Sequence, residues 1–177
     1  MRKINYYVAT SLDGYIAGKN EDISMFVQKG PGVEKYQQDL LTFDTIIMGR
    51  KTYEFGYKYG LTPGQPAYPH LKHFIFSNSL EFESAHPQVK VLPVEVREIQ
   101  KLKAESGTDI YLCGGGEFAG WLLENKQIDT LTIKLNPIIL GDGIRLFGSY
   151  QTSARLKLTD QLTFEDGLKI ITYQVEY

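Results

Sequence analysis

Three stretches combine glycine, hydroxyl and cationic side chains where a strand pattern gives way to something else. The first is Gly114-Gly115-Gly116-Glu117, preceded by Ile110-Tyr111-Leu112-Cys113 and followed by Phe118, Trp121 and Leu122 at the spacing of a helix face. Glycines admit positive φ and close backbone approach. A helix that begins there offers unpaired N–H groups and a positive dipole end, for which phosphate is the usual guest. The spacing is neither Gly-x-Gly-x-x-Gly nor a P-loop, so the stretch alone reads either as a phosphate site or as a tight strand-to-helix turn. The second stretch, Gly49-Arg50-Lys51-Thr52, follows the short apolar run Thr45–Met48. Two cations sit badly at the positive end of a helix dipole unless an anion joins them, which favours an anion site over a solvated helix start. The third, Ser77-Asn78-Ser79, places three small polar groups after His73–Phe76.

The elements that must position these groups alternate. Strand patterns are read at Ile4–Ala9, Thr45–Met48, His73–Phe76, Val89–Leu92, Ile110–Cys113 and Ile128–Asn136. Val33, Tyr36, Leu40 and Phe43 step as an amphipathic helix, and a second helix carries Tyr53, Phe55, Tyr57 and Tyr59. Pro93 opens a third, with Val96, Ile99 and Leu102 inward and Gly107 as its stop. Arg155–Phe164 and Leu168–Tyr177 alternate around Glu165-Asp166-Gly167, a hairpin signal. The expected fold is α/β: a mostly parallel central sheet with helices on both faces and an antiparallel C-terminal hairpin at its edge. Ligands of such sheets bind beyond the carboxyl ends of the strands, so the three junctions should open onto one crevice.

The 177 residues suit a single domain over 1–177, and 42% hydrophobic with 23% charged residues is a globular balance. A net charge of -2 gives no reason to expect nucleic acid or an anionic membrane as partner. One cysteine excludes an internal disulfide, and without a cysteine–histidine cluster no metal site is expected. Met1-Arg2-Lys3-Ile4 runs straight into a strand pattern without a signal segment, so a cytoplasmic location is expected.

Ala9-Thr10-Ser11-Leu12-Asp13-Gly14-Tyr15-Ile16-Ala17, Ile47-Met48-Gly49-Arg50-Lys51-Thr52-Tyr53, Phe74-Ile75-Phe76-Ser77, Cys113-Gly114-Gly115-Gly116-Glu117-Phe118 and Asn136-Pro137-Ile138-Ile139-Leu140-Gly141-Asp142-Gly143 occur in one order. That order resembles the dihydrofolate-reductase-like proteins, and most closely the branch containing the reductase domain of the bifunctional riboflavin-biosynthesis deaminase/reductase. The resemblance spans nearly the whole chain and implies NADPH binding and hydride transfer. It implies that Ala9 and Ile16 border the nicotinamide and that the Asp13 loop closes over it. Gly49, Arg50, Lys51 and Thr52 would receive phosphates, with Arg50 and the Ser77-Asn78 pair near the 2′-phosphate of the adenosine. Gly114, Gly115, Gly116, Glu117 and Phe118 would cradle the pyrophosphate, with a cis peptide between Gly114 and Gly115. A homodimer through the C-terminal hairpin strands is implied as well.

The substrate side departs from the pattern. Dihydrofolate reductases carry a carboxylate on the helix before the Met-Gly-Arg strand; counting back without a gap lands on Val33, with Glu34 one place off and Asp39 near the other end. Cys113 stands where riboflavin-type reductases usually carry a Glu, and Gly56 where they tend to have an Asp. Asp13 and Glu34 are the candidates for acid or substrate anchor. The alternatives are that Asp13 braces its turn and that Glu34 favours a helix N-terminus. Tyr53 and Tyr57 either line the substrate pocket or are core aromatics. Cys113 reads as buried and inert. The expected activity is NADPH-dependent reduction of a small nitrogen heterocycle, foremost 5-amino-6-(5-phosphoribosylamino)uracil, whose ribosyl group becomes ribityl. The alternatives are a dihydrofolate or pterin reductase and a catalytically silent NADPH-binding sensor.

Overall fold

Ile4–Thr10 is buried on both faces, as a strand in the middle of a two-sided sheet must be. In the computed structural model, which describes residues 1–177, this strand is the centre of the molecule. In chain order the elements are β1 (Ile4–Thr10), β2 (Tyr15–Ala17), α1 (Pro31–Leu40), β3 (Thr45–Gly49), α2 (Arg50–Phe55), β4 (Lys72–Phe76) and β5 (Val89–Leu92). They continue as α3 (Val96–Ala104), β6 (Ile110–Gly114), α4 (Gly116–Glu124), β7 (Thr130–Leu135), β8 (Ile144–Arg145), β9 (Arg155–Thr163) and β10 (Lys169–Glu176).

Eight strands form one sheet in the order β5-β4-β3-β6-β1-β7-β10-β9. The pairings from β5 to β7 are all parallel, and β10 joins β7 antiparallel, with β9 beyond it as the edge. This is the mostly parallel sheet with an antiparallel hairpin that the alternation predicts. Side chains from successive strand positions feed two cores. One holds Ile4, Tyr6, Val8, Ile47 and Leu112 against α3 and α4; the other holds Tyr7, Ile46, Met48, Ile75 and Tyr111 against Leu40, Phe43 and Tyr53.

The chain returns from β5 to insert β6 between β3 and β1, so strands distant in sequence end side by side. Several boundaries differ from the sequence expectation for local reasons. Pro31 opens α1 behind Gly30, whose φ of 113° only glycine takes readily, and the helix stops at Leu40 rather than Phe43. The last expected parallel strand is trimmed to Thr130–Leu135, because Asp129 turns its carboxylate to the Ile4 N–H and Lys103, and the Ile128 carbonyl takes the Tyr177 hydroxyl. The loop after Asn136 holds one short strand the sequence did not suggest, β8, which pairs with β2.

Candidate active site

The strand ends meet along one rim of the sheet. Met48 is paired with Gly114, and Gly49 with Phe76, so the three junctions singled out in the sequence are neighbours. Their side chains interlock. A Cβ on Gly49 would stand 3.1 Å from the Phe118 Cβ, and the Phe118 ring stacks on Phe76 at 4.9 Å. Thr52 reaches the glycine turn, since a Cβ on Gly115 would stand 2.8 Å from its Oγ1.

The three glycines have different reasons to be glycine. Gly114 is buried, with φ +131°; a Cβ there would touch Thr52 Oγ1 at 3.9 Å and the Tyr6 ring at 4.0 Å without a clash, so the conformation rather than the space calls for glycine. The Gly114–Gly115 peptide is cis. Gly116 instead packs against the chain, where a Cβ would lie 2.2 Å from the Arg145 carbonyl oxygen. Gly114 and Gly115 thus lie against Thr52, and Gly116 fits α4 to the turn behind it. Glu117 belongs to that turn too: its carboxylate accepts the Ser149 N–H and hydroxyl, both at 2.9 Å, which leaves its backbone rather than its side chain for a ligand.

At the second junction Arg50 is exposed, its Nε donating to Glu54 Oε1 at 2.7 Å and its Nη1 to Ser79 Oγ at 3.1 Å. Ser79, the third of the small polar groups after β4 and not one of the Ser77-Asn78 pair, is thus the serine that meets Arg50. Ser77 Oγ accepts the Ser79 and Leu80 N–H groups, and Asn78 Oδ1 accepts that of Val94. Both shape the loop that presents Ser79. Lys51 is exposed.

Asp13 lies in the loop after β1. One carboxylate oxygen accepts the Leu140 N–H and the other that of Gly141 at 2.7 Å, pinning this loop to the Gly141-Asp142-Gly143 turn. Hydrogen bonds, first from Ser11 and then from these amides, hold its carboxyl down at about 2, so it carries no proton to give near neutrality. Its geometry is that of a brace between loops rather than of an acid. Ile16, half-buried on β2, packs against the core beside β1. Ala9, half-exposed near the end of β1, is registered with Lys134.

The helix α1 turns Gly32, Tyr36 and Leu40 inward, and Glu34, about 200° away from both Gly32 and Tyr36, stands exposed on the opposite side. The structure does not bring Glu34 to the crevice. Asp39, on the inner side, accepts the Tyr7 hydroxyl at 3.0 Å and is salt-bridged to Lys35. Tyr53 is core: it is 1% exposed, its hydroxyl donates to the Gln65 carbonyl at 2.7 Å, and its ring packs edge-on against Tyr57 and Phe82. Tyr57 is half-buried beside it.

The aromatic wall under α1 is made by other residues. Tyr7 meets Tyr36 edge-on, Tyr36 and Tyr111 share a hydrogen bond of 2.6 Å, and Tyr68 abuts Tyr111. Burial raises all four phenols above their ordinary range, though for Tyr68 the Cys113 sulfur weighs more, and burial raises the Cys113 thiol too. They are neutral walls. Asn136, fully buried, ties three segments together: its Oδ1 accepts the Val27 N–H, and its Nδ2 donates to the Thr10 and Lys134 carbonyls. A lysine in the middle of Leu131-Thr132-Ile133-Lys134-Leu135 was the one signal in the sequence that could have pointed to this side of the crevice.

Comparison with known proteins agrees with this architecture. The sequence model of the RibD C-terminal domain family matches residues 2–170. The uncharacterized protein YwjB of Bacillus subtilis is 31% identical over 172 residues, 96% of each chain. A candidate riboflavin-biosynthesis protein from Shewanella sp. PV-4 superposes with a TM-score of 0.79 at 26% identity, over 100% of both chains. Dihydrofolate reductase from Enterococcus faecalis, in a complex with NADP(H), shares the fold at a TM-score of 0.68 and 14% identity, over 98% of this chain and 96% of that one.

Proposed function

The chain belongs to the RibD C-terminal domain family, and from that premise we propose that it is an NADPH-dependent reductase of a small nitrogen heterocycle. The reaction to test first is reduction of 5-amino-6-(5-phosphoribosylamino)uracil, in which the ribosyl group becomes ribityl. The observation that carries the reading is the convergence of the Gly114–Gly115 turn, Thr52 and Arg50 on one rim. A glycine turn with positive φ at the start of a helix, a hydroxyl and two exposed cations form a set of donors suited to a phosphorylated cofactor. The same fold holds NADP(H) in the enterococcal reductase.

When bound, NADPH supplies the hydride. The work of the chain is to bind, orient and exclude water. The Gly114–Gly115 backbone, Thr52, Lys51 and Arg50 hold phosphates, with Ser79 steadying Arg50 at its 3.1 Å hydrogen bond. Ala9 and Ile16 offer small and apolar surface for the nicotinamide, and Asp13 holds the loop that covers it. The neutral wall of Tyr7, Tyr36, Tyr68 and Tyr111 bounds the substrate side. Dihydrofolate is the weaker substrate on this geometry, because the carboxylate nearest the expected place, Glu34, faces away.

A pairing of two copies through β9 is part of the proposal. All nine residues of this edge strand are exposed, Leu158 by 54%, beside an apolar groove lined by Leu123, Phe147, Leu156 and Val175. An exposed edge with leucines on it is a surface that proteins usually cover. The test of function is direct: NADPH binding followed by Trp121 fluorescence, then loss of NADPH absorbance with the ribosylaminouracil phosphate and with dihydrofolate in parallel. Turnover of the first alone supports the proposal. NADPH binding without turnover of any heterocycle would replace it with a sensor, and no binding at all would remove both.

A further inference from the structure

The substrate side of the crevice contains a buried cation without a counterion. β7 turns Leu131, Ile133 and Leu135 toward the core under α4, and Thr132 and Lys134 toward α1. Lys134 is 8% exposed, with its Nζ 4.9 Å from the centre of the Tyr36 ring. Burial lowers its pKa, and no carboxylate opposes that shift. Asp39, the acidic group on the inner side of α1, is already held by Tyr7 and Lys35, and the Tyr36 and Tyr111 hydroxyls are bonded to each other. No wholly enclosed side-chain nitrogen or oxygen lacks a partner, and Lys134 makes no hydrogen bond through Nζ, so that nitrogen keeps a small opening to solvent beside the Tyr36 ring.

A second buried lysine shows what a structural role looks like. Lys103 is equally enclosed, at 8% exposure, but its Nζ lies 2.6 Å from an Asp129 carboxylate oxygen. For Lys134 only the Tyr36 ring face and a small opening to solvent offer compensation, which is small against the cost of burying most of an ammonium's surroundings. A leucine or methionine would fill the space without that cost. Its placement is specific as well: Lys134 is registered with Ala9 of β1, and β1 separates it from the end of β6 where the glycine turn begins, two strand spacings or about 10 Å across the sheet.

Resting on the reductase reading above, we propose that Lys134 sets the substrate class, giving its ammonium to an anionic or carbonyl oxygen of the heterocycle. The site then selects acidic or oxo-substituted rings of the uracil type. It rejects rings that bind as amidinium cations, for which a carboxylate is the natural partner.

The test uses two probes, orotate as a pyrimidine anion and 2,4-diaminopyrimidine as a ring that binds as a cation. Each is titrated calorimetrically into wild type, K134M and K134R, with and without NADP⁺. Wild type should prefer orotate, K134M should lose at least about 10-fold in orotate affinity, and K134R should recover most of it. The diaminopyrimidine should bind K134M at least as well as wild type. The melting temperature of K134M should equal or exceed that of wild type, since an unpaired buried charge has gone. Unchanged orotate affinity in K134M, a wild-type preference for the diaminopyrimidine, or binding of neither probe overturns the assignment. NADPH affinity is measured on the same three proteins. Its absence from wild type would sink the reductase reading, while the preference for one probe is still read on the free protein.

Discussion

His73 gives a pH dependence that can be worked out in advance. It is fully buried on β4. Its Nε2 accepts the Tyr68 N–H at 3.2 Å, which leaves Nδ1 as the N–H that donates to the Leu71 carbonyl at 2.9 Å. A proton on Nε2 would face another N–H, and burial alone already disfavours the charged ring; the pKa is pushed down to about 4 from 6.5. The unfolded chain therefore takes up a proton near pH 6.5 that the folded chain refuses until about pH 4. Stability rises with pH wherever the unfolded state binds more protons, so it must fall between pH 6.5 and 4 on acidification. Linkage puts the loss at about 2 kcal/mol at pH 5 relative to pH 7.5, or about 4–8 °C in melting temperature for a chain of this size. Carboxylates titrate mainly below this window. The assay is urea unfolding at pH 7.5, 6.5, 5.5 and 5.0 for wild type and His73→Gln, which keeps a donor and an acceptor but no titrating group. The variant should start less stable at pH 7.5 and then lose about 2 kcal/mol less than wild type on reaching pH 5. Parallel curves for the two proteins would refute the reasoning.

Arg50→Ala should weaken NADPH about 10- to 100-fold while leaving NADH within about twofold, as expected for loss of a charge-assisted contact to the 2′-phosphate. Fluorescence titration of both nucleotides decides it, and equal weakening would place Arg50 elsewhere on the cofactor. Asp13→Ala releases the Leu140 and Gly141 amides. It should lower kcat/KM by about 10-fold or more with no displacement of the acidic limb of the pH–rate profile, whereas a displaced limb would mean that Asp13 does move a proton. Leu156→Glu combined with Leu158→Glu alters only exposed positions and should halve the mass seen by light scattering, with a melting temperature that no longer rises with protein concentration. A mass that stays the same would remove β9 as the surface between copies.

Whatever depends on a few neighbouring residues was legible in the chain alone. Apolar runs of period two and helix faces of period three to four marked nearly every strand and helix, because burial of one face is a local pattern whatever the partner. Gly114, Gly115 and the Gly49-Arg50-Lys51-Thr52 corner were legible for the same reason: a strand that turns at once into a helix limits which residues can stand at the joint. Which side chains meet across the crevice follows from how distant strands pair. Asp13 and Leu140 are 127 positions apart, and Arg50 finds Ser79 rather than Ser77 because of how the loop after β4 is folded. Glu34 and Tyr36 differ by two residues, yet the 200° between them sends one to solvent and the other to the wall beside Lys134. Tyr53 and Tyr111 are equally aromatic in the sequence, and only the pairing of β6 with β1 and β3 puts the second beside Tyr36. Spacing constrains a chain locally, whereas the environment of a charge is set by strands that the sequence keeps far apart.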